Sequence, residues 1–192
     1  MALRVLVVYG TTEGQTEKIA RAIAETLRSE GIAVDVVAAS GDAPPPGGYA
    51  GVLVAASVHA GQYQRPVRLW VQTHRDELDA RPAAFVSVCL SVLQHDDKTR
   101  RDFARILEQF VSETRWRPAT IKEVAGALPY TRYGWLRRLI MKRIVGKAGG
   151  DTDTRRDYEY TDWADLRRFA SDFGRALRTP AAVSRTAAST AR

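Results

Sequence analysis

The stretch that decides the fold is residues 3–16, LRVLVVYGTTEGQT. Val5-Leu6-Val7-Val8 is a β-branched apolar run that ends at Gly10 and gives way to a short polar loop. Beyond the loop, Ile19, Ala20, Ile23, Ala24 and Leu27 recur at helical spacing. A strand, a turn and a helix in that order place several backbone N–H groups at a helix N-terminus, among the hydroxyls of Thr11, Thr12 and Thr16. Orphan amides and the helix dipole both favour negative charge, so the loop suits an anion. No Gly-Lys-Ser/Thr follows, which excludes a P-loop, and the glycines are not spaced as in the dinucleotide fingerprint. On its own the stretch also reads as an ordinary βα turn with a threonine cap, and the rest of the chain has to decide.

Outward from this unit, strands and helices alternate. Gly31 marks the end of the first helix, and residues 32–37 read as a second strand. A Pro- and Gly-rich loop spans 41–48, and Val52-Leu53-Val54-Ala55-Ala56 forms a third strand that runs into a polar loop, residues 57–63. Pro66 suits the first turn of a helix carrying Val67, Trp70 and Val71. Residues 83–90 are apolar on both faces, as a central parallel strand should be. A third loop, residues 91–97, leads to a helix with Phe103, Ile106, Leu107 and Phe110. A weaker fifth strand covers 120–127, and a last helix begins near Asp162 and bears Trp163, Leu166, Phe169, Ala170, Phe173 and Leu177. This alternation implies right-handed crossovers and an α/β fold, a doubly wound five-stranded parallel sheet of order 2-1-3-4-5. In that order a ligand sits beyond the carboxyl ends of strands 1, 3 and 4, where the three polar loops emerge. Their convergence favours the anion reading of the first loop.

With 192 residues the chain forms one domain, expected over 1–178, long enough to bury a sizeable core. The single cysteine, Cys89, excludes an internal disulfide framework and a cysteine-based metal cluster, and no metal is expected. Within its apolar run it reads as a small buried hydrophobe. The N-terminal apolar run is short and lacks a basic leader, so no export signal is expected, and no run approaches a membrane span. A cytoplasmic protein is the expectation. The net charge of +7 favours an anionic partner: nucleic acid, an acidic lipid surface or a polyanionic small molecule.

Two segments depart from the simple pattern. Leu128 to Gly150 interrupts the passage from the fifth strand to the last helix, with Arg132, Arg137, Arg138, Lys142, Arg143 and Lys147 and not one carboxylate. Residues 179–192 are rich in Ala, Ser and Thr without periodicity and read as a disordered tail.

The chain resembles the flavodoxin superfamily, and within it the flavodoxin-type, quinone-dependent protoporphyrinogen oxidases. The first loop is close to the flavodoxin phosphate loop T-x-T-G-x-T, with Glu13 at a position that is usually Thr. Gly14-Gln15-Thr16, Ala56-Ser57 with Gly61 and Tyr63, and Trp116-Arg117-Pro118 carry part of the resemblance. Its most specific part is Ala125-Gly126-Ala127-Leu128 with Tyr130 and Tyr133, Gly149-Gly150, Thr152-Asp153-Thr154-Arg155 and Tyr160-Thr161-Asp162-Trp163. The resemblance implies a flavodoxin-like fold with a basic insertion after strand 5, FMN as cofactor, and six-electron oxidation of protoporphyrinogen IX in haem biosynthesis, with electrons passed to a membrane quinone. It implies that Thr11, Thr12, Glu13, Gly14, Gln15 and Thr16 hold the FMN phosphate. The second loop (Ser57, Val58, His59, Gly61, Tyr63) and the third (Leu90, Ser91, Val92 and on to Asp96) would flank the isoalloxazine. A carboxylate at Glu13 must then point to solvent or toward a cation. The third loop lacks an aromatic residue to stack on the flavin; either Tyr63 serves in part or the flavin lies open to a large planar substrate.

A flavin leaves the protein mostly to position and tune it. Oxidising a porphyrinogen also releases protons, and His59 on the second loop is the histidine best placed to receive one. On sequence grounds alone the plainer reading, a solvent-facing loop residue, is the favoured one; His95 is a weaker candidate, and His74 looks structural within a helix. Arg and Lys of the insertion suit the substrate's propionates or form a solvated basic face. On a helical projection of residues 133–147, Trp135, Leu136, Leu139, Ile140 and Ile144 share one half of the circumference. Arg137, Arg138 and Lys142 lie on the other, while Arg132 precedes the segment and Arg143 projects near the apolar side. That is the pattern of an interfacial helix on an anionic membrane, which implies a peripheral protein on the inner face of the cell membrane; the alternative is an insertion helix whose apolar half packs on the domain. The competing functions are a flavodoxin-type electron carrier or FMN-dependent quinone reductase, and a nucleic-acid-binding module. Carriers typically present acidic surfaces, which a charge of +7 does not match. No nucleic-acid reader motif is present, so nucleic acid is not the expected partner.

Overall fold

The computed structural model describes residues 3–90, 97–128 and 157–179. Five parallel strands form the main sheet: β1 (Arg4–Gly10), β2 (Ala33–Ala38), β3 (Gly51–His59), β5 (Ala83–Cys89) and β6 (Thr120–Ala125). A two-residue strand, β4 (Gln62–Tyr63), pairs antiparallel with the end of β3. The spatial order is β2-β1-β3-β5-β6, the doubly wound order expected from the sequence.

The period-2 alternation of side chains divides the core into two layers. Val5, Val7, Leu53, Ala55, Val86 and Val88 face α1 (Gln15–Ser29) and the last helix, α5 (Trp163–Arg178). Leu6, Val8, Val52, Val54 and Phe85 face α2 (Arg65–Thr73), α3 (Arg75–Asp79) and α4 (Asp97–Thr114). Strands buried on both faces read as unbroken apolar runs, which is why β1, β3 and β5 were legible. The second layer is pinned by aromatics: Phe110 stacks on Phe85 at 4.6 Å, and Trp116 meets both rings edge-on. Trp116 is buried, so the Trp-Arg-Pro stretch serves packing at its first residue.

Helix α1 ends in a Schellman motif. Gly31, at φ +80°, donates to the Arg28 carbonyl, and the Ile32 N–H reaches Leu27 O at 3.1 Å. Asp162 caps α5 by accepting from the Asp165 N–H at 2.9 Å.

Three boundaries differ from expectation. Residues 57–59 are not loop but the end of β3, folded into a hairpin through Ala60 (φ +50°) and Gly61 (φ +76°). Two successive left-handed residues match the twist of paired strands, so polar Ser57 and His59 are held in sheet by pairing rather than propensity. The helix after Pro66 is two helices, broken at His74, whose Nδ1 lies 3.1 Å from Glu77 Oε1 and whose ring packs on Trp70. Its successor α3 buries Leu78 in the second layer. The fifth strand stops at Ala125; Ala127–Leu128 (β7) pairs instead with Tyr158–Glu159 (β8) in a separate antiparallel ribbon. Apart from Leu128 and Thr179, the basic insertion and the C-terminal tail lie outside the described residues. Among the described residues no helix is long and apolar enough to cross a membrane.

Candidate functional site

The register brings four strand ends side by side. Gly10 pairs with Ala56, Ser57 with Val88, and Cys89 with Ala125. Loops leaving β1, β3 and β5 therefore emerge from one edge, and the chain departs to opposite faces after β1 and β3. This is the crevice at the topological switch point.

Gly10 sets the close approach of the elements there. A Cβ at this position would meet Val67 Cγ2 at 2.4 Å and Gln64 Oε1 at 3.2 Å, so the start of α2 can lie against the end of β1 only because residue 10 has no side chain. The loop that follows is drawn tight by Thr11, whose Oγ1 accepts from the Gly14 N–H at 2.9 Å. Gly14 stands at the N-cap of α1 with φ +91°, a conformation that costs an L side chain about 1–2 kcal/mol. No side chain caps α1. The first intrahelical bond there runs from the Lys18 N–H to Gly14 O, so the N–H groups of Gln15, Thr16 and Glu17 have no intrahelical acceptor. The Thr16 hydroxyl is fully buried and has no hydrogen-bond partner among the described residues. Unsatisfied amides, a helix dipole and an orphaned hydroxyl at one point fit a phosphate monoester, the group by which FMN would be held.

Other expected site residues divide between this point and elsewhere. Thr12 is exposed on the loop. Glu13 is half-buried and lines a cavity of about 410 Å³ with Gly14, Lys18, Arg21, Tyr158 and Glu159. Two cations stand in that cavity, though Lys18 pairs with Glu159 at 3.3 Å and Arg21 with Glu17 at 2.7 Å. The Gln15 side chain is turned into the domain: its Nε2 donates to Thr161 Oγ1 at 2.9 Å, and Thr161 donates to Ala125 O at 2.8 Å. Only its backbone N–H is left to face a ligand.

Ser57 and His59 lie on the hairpin, His59 exposed and Ser57 half-buried, with Gly61 exposed at the turn. Val58 is half-buried against the second core layer. Its cross-strand partner Tyr63, expected to stack on a ring, is instead 2% exposed, edge-on to Phe85 and Phe110, with its hydroxyl 2.8 Å from Ser87 Oγ. Burial pushes that phenol well above its ordinary pKa, so it stays neutral. Leu90 is half-buried immediately after β5, while Ser91 and Val92 lie outside the described residues, as do Arg132, Trp135, Arg137, Arg138, Lys142 and Arg143.

Two residues at the site were given no site role by the sequence reading. Gln64 donates through Nε2 to Ser57 Oγ at 2.5 Å and to Thr12 Oγ1 at 3.2 Å, and its Oε1 accepts from the Ser57 N–H at 3.2 Å. Thr161 is the buried relay between α1 and β6 just described. The only sequence signals were the position of Gln64 just before Arg65-Pro66 and the place of Thr161 in the Tyr-Thr-Asp-Trp stretch.

A family model described as a flavodoxin domain matches residues 6–155. The chain is 33% identical over 181 residues to the protoporphyrinogen IX dehydrogenase (quinone) of Escherichia coli strain K12, covering 93% of this chain and 98% of that protein. It is 36% identical over 170 residues to the Leishmania major protein of the same name, covering 88% of this chain and 73% of the other. In three dimensions it is similar to a serine-for-cysteine mutant of flavodoxin from Pseudomonas aeruginosa, with a TM-score of 0.56 at 14% identity over 92% of this chain and 100% of the other. The sheet order, the loop at the switch point and these likenesses agree: the chain belongs to the flavodoxin-domain family.

Proposed function

We propose that this chain is an FMN-dependent dehydrogenase that oxidises protoporphyrinogen IX and passes the electrons to quinone. The observation that carries the reading is the 33% identity to a protein of that name over nearly the full length of both chains. The phosphate-fitting loop supports the cofactor. When bound, the flavin accepts hydride or single electrons and returns them to an acceptor. The protein's own part is to hold and orient it. The N–H groups of Gln15 and Thr16 and the hydroxyls of Thr11, Thr12 and Thr16 would hold the phosphate, and Gly14 supplies the left-handed turn that presents them. The Glu13 carboxylate would have to stay off the phosphate, and Lys18 and Arg21 line the same cavity as Glu13. Ser57, Val58, His59 and Gly61 of the hairpin, with Leu90, Ser91 and Val92 after β5, would contact the ring system. His59, exposed on the hairpin, receives a proton released by the substrate.

Quinone is lipid-soluble, and the basic insertion supplies the membrane contact in this reading. Trp135 and its apolar neighbours enter the interface, while Arg132, Arg137, Arg138, Lys142 and Arg143 meet anionic headgroups or the substrate's propionates. The protein then works on the inner face of the cell membrane. The test is spectroscopic. Under anaerobic conditions porphyrinogen should bleach the yellow holoprotein without any acceptor, and a water-soluble quinone should restore the colour. A flavin that porphyrinogen leaves oxidised overturns the reading.

A further inference from the structure

We infer that Gln64 is a positioning residue that sets the direction of two hydroxyl groups, one on the phosphate loop and one at the end of β3, so that both donate toward the ligand; this rests on the flavin reading above.

The geometry fixes which way the amide points. The Ser57 backbone N–H only donates, so the Gln64 atom facing it at 3.2 Å must be the carbonyl Oε1. That leaves Nε2, which only donates, facing Ser57 Oγ and Thr12 Oγ1. Each hydroxyl therefore spends a lone pair on Gln64, and its own proton is free to turn elsewhere. Thr12 is on the phosphate loop and Ser57 at the end of β3, so one side chain biases donors toward the phosphate and toward the ring. Thr11 is set in the same sense, because its Oγ1 accepts from the Gly14 N–H.

Gln64 is placed for this role by its surroundings. It occupies the N-cap of α2, where a polar side chain ordinarily accepts from its own helix, yet it makes no cap hydrogen bond there. It reaches the crevice because residue 10 is glycine; a Cβ on Gly10 would stand 3.3 Å from Gln64 Cβ and 3.2 Å from Oε1.

The experiment measures dissociation constants of FMN and riboflavin by flavin fluorescence, together with the melting temperature of the apoprotein. Riboflavin lacks the phosphate, so the ratio of the two constants isolates the Thr12 arm. Gln64→Leu should weaken FMN about 10-fold or more and reduce the ratio as far as Thr12→Ala does, and the double variant should lower it little further. Gln64→Glu keeps the acceptor for the Ser57 N–H but no longer donates, and it adds charge, so it should weaken FMN more than Gln64→Leu. Gln64→Leu should leave the apoprotein melting temperature within a few degrees of wild type. Equal weakening of FMN and riboflavin with a lowered melting temperature means a merely structural role and overturns the inference. Unchanged constants in both variants overturn it while leaving the flavin reading intact. A wild-type protein that binds neither flavin overturns both.

Discussion

Replacing Thr16 by Val should move stability and cofactor affinity in opposite directions. Thr16 Oγ1 is buried within the first turn of α1 and has no partner among the described residues. A buried hydroxyl left unsatisfied costs about 1–3 kcal/mol of desolvation. Thr16→Val keeps the shape and removes that cost, so the apoprotein should gain about 1–2 kcal/mol. At about 2–4 °C per kcal/mol for a chain of this size, its melting temperature should rise by about 2–8 °C. The same hydroxyl, donating to a phosphate oxygen, makes a charge-assisted bond whose loss is equivalent to about 10–100-fold in FMN affinity. Apoprotein melting followed by far-UV circular dichroism, and FMN titration by fluorescence quenching, measure the two halves. An apoprotein that loses stability, or FMN affinity that does not change, refutes the reasoning.

Other perturbations follow from the same geometry. Gly14→Val forces a β-branched residue to φ +91° and should weaken FMN binding in a titration while leaving a folded apoprotein. Thr161→Val strands the Gln15 amide and should cost about 2–3 kcal/mol in urea unfolding, whereas Thr161→Val with Gln15→Leu should recover part of it, because the double variant no longer buries an unpaired amide although the Ala125 carbonyl still lacks its Thr161 donor. The Lys122 ammonium holds the Asp165 carboxyl below its ordinary pKa, with Arg168 adding to the effect. A depressed folded pKa stabilises fully above the unfolded value of about 3.9, and the gain is lost as pH falls through the folded one; Asp165→Asn should therefore flatten the acid limb of the stability profile. Arg137→Glu, Arg138→Glu and Lys142→Glu together remove three cations worth about 1 kcal/mol each at an anionic leaflet, so liposome binding should fall more than about 100-fold while turnover with a water-soluble quinone survives.

Much of the fold was legible because its signals are local. The β-branched runs of β1, β3 and β5, the helical spacing of Ile19 to Leu27, Gly31 after α1 and Asp162 before α5 each report on a few neighbouring residues. What escaped depends on pairing across the chain. Ser57 and His59 look like loop, and only pairing across the chain, Ser57 with Val88 and His59 with Gln62, makes them strand. The hairpin register also decides the face of Tyr63: a one-residue shift separates a ring contact from the core position it holds. Gln15 and Thr161 stand 146 residues apart, and no local pattern joins them. Gln64 matters through the missing Cβ of Gly10, which a sequence read residue by residue does not connect to it.

The most direct test of the proposed activity is porphyrin fluorescence in an anaerobic assay in which quinone is added last to holoprotein and protoporphyrinogen IX. Fluorescence should stay near baseline until the addition and then rise at a rate set by enzyme concentration, and apoprotein should show no rise until FMN is restored. Fluorescence that grows at the same rate with or without the protein, or that ignores quinone, contradicts the account.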